Sequence, residues 1–140
     1  MEKMHIRPLM DLINKERIFN MIKIDAIVRE DKMEEVIDAL QKLDVNGMTI
    51  SQVMGCGTQR GYVEKVRGYD LDVKLLPKVK FEIVVSNKQW ADRTVNVICE
   101  TAYTGECGDG KIFVYELMDA VRIRTKEHGP KALWAKDQTE

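Results

Sequence analysis

The sequence predicts an α+β fold of the ferredoxin-like type, a split βαβ sandwich with an antiparallel sheet and two helices on one face. A chain of 140 residues with 44% hydrophobic and 32% charged residues has the size and balance of one globular domain. Apolar segments alternate between strand-like and helix-like periodicity. Their order, strand, helix, strand, strand, helix, strand (βαββαβ), is that of the split βαβ motif.

The first half of the pattern begins with residues 22–28, an apolar, β-branched run that predicts a buried strand. Asp31 and Glu34 then resemble a capping box, which predicts the start of a helix with one apolar stripe. The dipeptide at 46–47, Asn-Gly, suits the tight turn that ends this helix. Residues 48–54 alternate between apolar and polar and predict the second strand.

The second half repeats the order. Residues 79–85 predict the third strand, and Asn87 is placed to cap a second helix. Residues 111–117 predict the fourth strand. The apolar face of the second helix comprises Ala91, Val95, Ile98 and Ala102.

Three segments lie outside or between these elements. Residues 1–20 precede a domain expected at 21–129, and are either a short amphipathic helix or a cloning or upstream-start remnant before Met21. Residues 55–77 form a glycine-punctuated connection whose length is typical of functional or mobile loops. Residues 130–140 form a tail with Trp134, expected either to be disordered or to pack near the site.

Composition excludes several classes of protein. A net charge of -1 and 6% aromatic residues argue against nucleic-acid binding. No apolar run approaches the roughly 20 residues that cross a bilayer, so we expect a cytoplasmic protein. Cys56, Cys99 and Cys107 form no Cys-x-x-Cys pair, which argues against a disulfide framework or a zinc site. We expect three reduced, partly buried thiols.

Two glycine loops and one arginine pair suggest anion binding. Gly108-Asp109-Gly110-Lys111 lets backbone N–H groups approach phosphate oxygens with a lysine beside them, although the same residues are common in ordinary turns. Arg122 and Arg124 alternate, so an extended segment would place both on one face, as a phosphate grip or as a solvated edge. Residues 55–59 are a second such loop or a hinge. His5 and His128 lie near the chain ends, so no general base is evident and we expect no enzyme.

These residues resemble a known family. Residues 104–114, TGECGDGKIFV, resemble the C-terminal signature of the PII nitrogen-regulatory signal-transduction proteins. Other matches follow in the family's order, namely KIDAI at 23–27, GMT at 47–49, GCGTQRG at 55–61, LPKVK at 76–80 and RIRT at 122–125. The resemblance covers residues 21–129.

The resemblance implies a homotrimer that binds ATP or ADP, in competition, in a cleft between subunits. It implies 2-oxoglutarate bound together with Mg-ATP, and a T-loop at residues 57–75 that docks on partners. The implied ATP/ADP residues are Gly47, Met48, Thr49, Gly55, Gly57, Gln59, Glu82, Val84, Gly108, Asp109, Gly110, Lys111, Arg122 and Arg124. The implied 2-oxoglutarate residues are Gln59, Arg60, Gly61 and Lys78, and Gln59 would also be the magnesium ligand.

The family's partners include ammonium channels, glutamine synthetase and nitrogenase components, so membrane association is expected only through a channel. Leu71 stands where enterobacterial relatives carry a uridylylated tyrosine, so that modification is not expected. Thr58 and Glu106 replace usual basic residues, and each lost charge-assisted contact costs about 1.5–3 kcal/mol. Two alternatives remain open at this point, a slow ATPase timer and a ferredoxin-like trimer with a metal-binding or structural role, in which Cys56 is the plausible thiol ligand.

Overall fold

The computed structural model describes residues 19–58, 64–66, 69–71 and 73–134. Within these ranges no helix is long and apolar enough to cross a membrane. The elements in chain order are β1 (Ile22–Arg29), a 3-10 turn (Glu30–Lys32), α1 (Met33–Lys42), β2 (Met48–Thr58), β3 (Glu64–Val66), β4 (Tyr69–Leu71), β5 (Val73–Val85), α2 (Lys88–Ala102), β6 (Gly110–Glu116) and a 3-10 turn (Gly129–Ala132).

Four strands form one antiparallel sheet in the order β2-β5-β1-β6. The split βαβ arrangement predicted from the sequence is therefore confirmed, since β5 lies between β1 and β2. In the register, Asp25 lies opposite Glu82 on β5 and opposite Phe113 on β6. The strands β3 and β4 pair with each other in a separate two-stranded ladder.

The core lies between one face of this sheet and the two helices. Because strand side chains alternate, β1 sends Ile24, Ala26 and Val28 to this face and leaves its odd-numbered residues on the open face. Phe81 at the centre of β5 is fully buried. The helices contribute Val36, Leu40, Ala91 and Ile98 to the same core.

Strands β2 and β5 run further than the alternation predicted. Their ladder continues beyond Met54, pairing Gly55 with Leu76 and Gly57 with Lys74. Backbone pairing does not need an apolar side chain, so the glycines that suggested a loop are accommodated in the ladder. Both ends of the predicted connection at 55–77 are therefore strand.

The start and end of α1 differ from the prediction. Asp31 lies in the preceding 3-10 turn, and the N-cap Lys32 makes no side-chain cap, so the predicted capping box is wrong. The helix ends before residues 46–47, because Asp44 adopts a left-handed φ of 66°. The backbone N–H of Asp44 then donates to the Gln41 carbonyl, and the backbone N–H of Val45 donates to the Leu40 carbonyl. This is the Schellman pattern, which provides donors for the last carbonyls of a helix.

The predicted cap of α2 is confirmed: the Trp90 N–H donates to the Asn87 side-chain oxygen at 2.9 Å. Asn87→Ala should lower the free energy of unfolding by about 1 kcal/mol, because one N–H of the first turn loses its acceptor. Urea denaturation at one fixed protein concentration measures this. Asn46→Ala, at an exposed loop position, is the matched control and should stay within about 0.5 kcal/mol of the parent. Equal effects at the two positions would contradict the capping role.

All three cysteines are free, but Cys56, Cys99 and Cys107 are exposed in the single chain. The expectation of partly buried thiols is therefore wrong for this chain. Cys99 lies on the outward face of α2, one residue from the buried Ile98, and Cys107 lies in the loop after α2.

Candidate functional site

The loop at residues 103–109, between α2 and β6, turns on three glycines. Gly105, Gly108 and the first residue of β6, Gly110, have φ values of 87°, 101° and 108°. A Cβ on Gly110 would lie 1.8 Å from the Ile27 carbonyl oxygen, so only glycine lets the loop join β1 here. Successive turns of this kind direct backbone N–H groups towards one point and form concave anion sites.

The Asp109 carboxylate lies inside this loop. It accepts hydrogen bonds from the Thr104 N–H at 2.8 Å, the Gly105 N–H at 3.0 Å and the Thr104 hydroxyl. Arg29 Nε donates to it at 3.0 Å across 80 positions of sequence. These bonds, those from Thr104 first, hold the pKa of Asp109 well below its usual range, so the carboxylate stays ionised.

Two cations at the sheet end reach the same loop. Arg29 donates to the Cys107 carbonyl at 2.7 Å, and the Lys78 ammonium donates to the Gly108 carbonyl. The Lys78 side chain passes over Gly55 to reach the loop, since a Cβ on Gly55 would lie 3.0 Å from Lys78 Cγ. Burial, and next the charge of Arg29, lower the pKa of Lys78. Sequence reasoning missed Arg29, although it ends β1 directly opposite Lys78.

Charges on the open face of the sheet fall into two groups. Lys23, Asp25, Lys80 and Glu82 neutralise one another, with ion-pair distances of 3.5 and 3.9 Å from Lys23 and of 3.9 and 3.2 Å from Lys80. A hydrogen bond to Asp25 raises the pKa of Tyr115 beside them. This group has no excess charge to offer a ligand.

The second group lies where β1 ends and β6 begins. Arg29 and Lys78 face each other across the ladder, and Lys111 pairs with Ile27, two residues before Arg29 and on the same face. Against these three cations stand two carboxylates, Asp109 of the loop, which pairs with Arg29, and Asp31, whose charge also acts on Lys78. Anions are therefore attracted to this end of the sheet.

The predicted site residues divide accordingly. Gly55, Lys78 and the loop residues from Gly108 to Lys111 come together at the cationic end. Thr49 lies opposite Glu82, which is four residues from Lys78 along β5, or about 13 Å at 3.3 Å per residue. Val84, opposite Lys23, is six residues from Lys78, or about 20 Å. Exposed Gly47 precedes β2, and Met48 packs against the core.

The predicted extended segment at Arg122 and Arg124 is wrong. Residues 122–126 form a turn, closed by the Lys126 N–H donating to the Arg122 carbonyl at 2.8 Å, so strand alternation does not set the two guanidinium groups on one face. The Arg122 guanidinium donates to the Lys131 carbonyl at 3.0 Å and to the Trp134 carbonyl. The other terminal nitrogen of this guanidinium, Nη1, lies 3.9 Å from the Glu127 carboxylate.

The tail up to residue 134 packs against the domain. Its 3-10 turn is anchored at buried Gly129, where the Phe19 ring lies 2.6 Å from the position of an added Cβ. His128 and Asp119 pair at 2.6 Å beside it. Residues 130–134 therefore pack against the segment that contains Arg122, and their position near the nucleotide cleft stays a prediction.

Several residues predicted to bind 2-oxoglutarate, magnesium or phosphate are not described or are described only in part. Gln59, Arg60 and Gly61 lie outside the described residues, and for Gly57 and Thr58 only the strand pairing is described. Among the described ranges, no group of three or more His, Cys, Asp or Glu side chains is placed to hold a metal ion.

Comparison with known proteins gives one consistent result. The family described as Nitrogen regulatory protein P-II matches residues 21–127. Nitrogen regulatory protein P-II 1 of Methanothermobacter thermautotrophicus is 53% identical over 113 residues, which cover 81% of this chain and 97% of the relative. Its counterpart in Escherichia coli is 45% identical over 113 residues, covering 81% of this chain and all of the relative.

Solved structures agree in fold. The B. subtilis GlnK–ATP complex is similar with a TM-score of 0.65 and 37% identity, over 80% of this chain and 96% of that one. Arabidopsis thaliana PII bound to citrate is similar with a TM-score of 0.67 and 38% identity, over 86% of this chain and 96% of that one. The match extends over most of the chain in sequence and in fold, and the chain therefore belongs to the nitrogen regulatory protein P-II family.

Proposed function

We propose that this P-II protein binds ATP or ADP at the loop of residues 104–111 and couples that binding, together with 2-oxoglutarate, to the docking of its T-loop on nitrogen-metabolism targets. The observation that carries the proposal is the cationic group Arg29, Lys78 and Lys111 around a glycine turn. A glycine turn beside three cations that outnumber their two carboxylates suits a polyphosphate.

The phosphates would lie against Gly108, Gly110 and Lys111, with Gly55 and Gly57 on the β2 side. The complex of B. subtilis GlnK with ATP supports a nucleotide as the ligand. Adenine and ribose would border Gly47, Met48, Thr49, Glu82 and Val84. As the family resemblance implies, the two ends of the nucleotide would contact different subunits.

A homotrimer provides such a cleft, with Arg122 and Arg124 arriving from the neighbour. The helices cover only one face of the sheet, and on β6 Phe113, Val114 and Tyr115 are 45%, 54% and 43% exposed. Apolar side chains on an edge strand favour burial against another copy of the chain. Closing of the interface would require Arg122 to exchange its tail carbonyls for phosphate oxygens.

For 2-oxoglutarate, we propose Arg29 beside the predicted Lys78, because the two residues lie opposite each other in the β1–β5 ladder. Two adjacent cations suit the carboxylate of a dicarboxylate ligand. The Arabidopsis relative bound to citrate supports a carboxylate ligand in this family fold. Gln59 would hold magnesium between ATP and 2-oxoglutarate, with Arg60 and Gly61 beside it. A ligand that prefers one T-loop conformation shifts its population, so effector and target binding are reciprocally coupled.

Calorimetric titration tests the proposal. We expect ATP and ADP to compete for one site per subunit, and 2-oxoglutarate to bind only when Mg-ATP is present. Absence of binding by both nucleotides would refute it, and sustained phosphate release would favour the ATPase alternative instead. A pull-down from native cytoplasmic lysate with and without 2-oxoglutarate would then identify whether an ammonium channel, glutamine synthetase or a nitrogenase component is the target.

A further inference from the structure

The Asp109 carboxylate is an unexpected group in a phosphate loop, because like charges at short range repel. Its oxygens are occupied by four donors: the Thr104 N–H, the Thr104 hydroxyl, the Gly105 N–H and Arg29 Nε. An ionised carboxylate offers about four lone-pair sites. All four of these acceptor sites of Asp109 are therefore used by donors within the protein.

These bonds close the loop on itself. Thr104 and Gly105 begin the loop and Asp109 ends it, so the carboxylate joins the two ends. The Thr104 hydroxyl also accepts a hydrogen bond from the Glu106 N–H at 3.1 Å. Arg29 then ties the closed loop to β1 through Asp109 at 3.0 Å and the Cys107 carbonyl at 2.7 Å.

We propose that Asp109 is a positioning residue: its carboxylate makes no contact with the phosphates and instead, with Thr104 and Arg29, holds the loop in the shape that receives them. This proposal rests on the proposed nucleotide site. It assigns Thr104 a role equal to that of Asp109, since the threonine supplies two of the four donors. Arg29 both anchors the carboxylate and offsets its charge towards the phosphates.

Asp109→Asn distinguishes contact with the phosphates from positioning of the loop, because the two roles predict opposite changes in ATP affinity. If the carboxylate faced the phosphates, removing its charge would tighten ATP binding. If it positions the loop, an asparagine NH₂ in the Oδ1 position faces both Arg29 Nε and the Thr104 hydroxyl, and the bond from Arg29 is lost. ATP binding then weakens by about ten-fold, the scale of one charge-assisted hydrogen bond.

Two threonine variants supply the matched pair. Thr104→Val keeps the shape but removes the hydroxyl, and should weaken ATP binding about ten-fold as well. Thr104→Ser keeps the hydroxyl and should stay within about two-fold of the parent. Because both residues act through one closure, the Asp109→Asn/Thr104→Val double variant should bind ATP about as weakly as either single variant.

Calorimetry on the full-length protein measures these affinities, and hydrogen exchange of the Gly105 and Glu106 amides reads the loop directly. We expect faster exchange in Asp109→Asn and in Thr104→Val, and a cooperative thermal transition in each variant, which shows that both are folded. Tighter or unchanged ATP binding in Asp109→Asn, or additive losses in the double variant, would overturn the proposal. If the parent protein bound no nucleotide, the proposed function would fail, and exchange at the two amides would still decide whether Asp109 holds the loop: unchanged exchange would overturn that part too.

Discussion

Gly110→Ala is expected to abolish ATP binding and to lower the free energy of unfolding by about 3 kcal/mol or more. The added Cβ would lie 1.8 Å from the Ile27 carbonyl oxygen and 2.8 Å from its carbon, both backbone atoms of the central strand β1. The residue also has a φ of 108°, which alanine rarely adopts. Relief of the clash must separate β6 from β1 at the point where the loop and Lys111 are placed.

Gly47→Ala is the matched control for stability, because a Cβ at that position meets no atom within 4 Å. Its free energy of unfolding should stay within about 0.5 kcal/mol of the parent. Denaturant unfolding at one protein concentration, with calorimetry for ATP, measures both variants. A Gly110→Ala protein with parental stability and parental ATP affinity would show that the loop does not need this close approach.

Lys111→Ala is expected to weaken ATP binding by about ten- to hundred-fold without loss of stability. Lys111 is the second residue of β6. It is exposed on the open face and pairs in register with Ile27, so removal of its side chain leaves no core cavity. Its charge adds to those of Arg29 and Lys78 at this end of the sheet. Two carboxylates, Asp109 and Asp31, oppose the three cations. Loss of one of three cations should therefore be felt mainly by the phosphates.

Lys42→Ala, at the exposed C-terminal end of α1, is the control for the general loss of one positive charge. It should bind ATP as the parent does, at several salt concentrations, because exposed charges beyond a Debye length of about 8–10 Å are screened. Parental ATP affinity in Lys111→Ala would favour the alternative of a trimer that shares only the fold.

Much of the fold was predictable because its signals are local. Alternation over a few residues identified the four sheet strands, and Asn87 identified a cap that lies three residues from its donor. The prediction for α1 failed at both ends, because the same short segment can form more than one local structure. At the start, Asp31 lies in a 3-10 turn and does not form the predicted capping box. At the other end, Asp44 took the left-handed position that Asn-Gly had seemed to mark.

The site was predictable in composition and less so in geometry. The glycine loop, Lys78 and Lys111 were recognised from motif residues, and the structure brings them to one end of the sheet. Arg29 was not recognised from the sequence, because its partner Asp109 is 80 positions away and the two residues meet only through the β1–β6 register. Strand alternation was the wrong rule for Arg122, since its backbone turns to bring Lys126 and Glu127 back to it.

The sequence by itself determined the order of strands and helices, the apolar face of each helix, and the family to which the chain belongs. Those properties depend on periodicity and on motifs read within short segments. Only the tertiary structure decided that Asp109 points into its own loop, that Arg29 holds it there, and that Lys78 lies across Gly55. These contacts join distant strands, and their charges act through distances of 3–4 Å that sequence spacing does not encode.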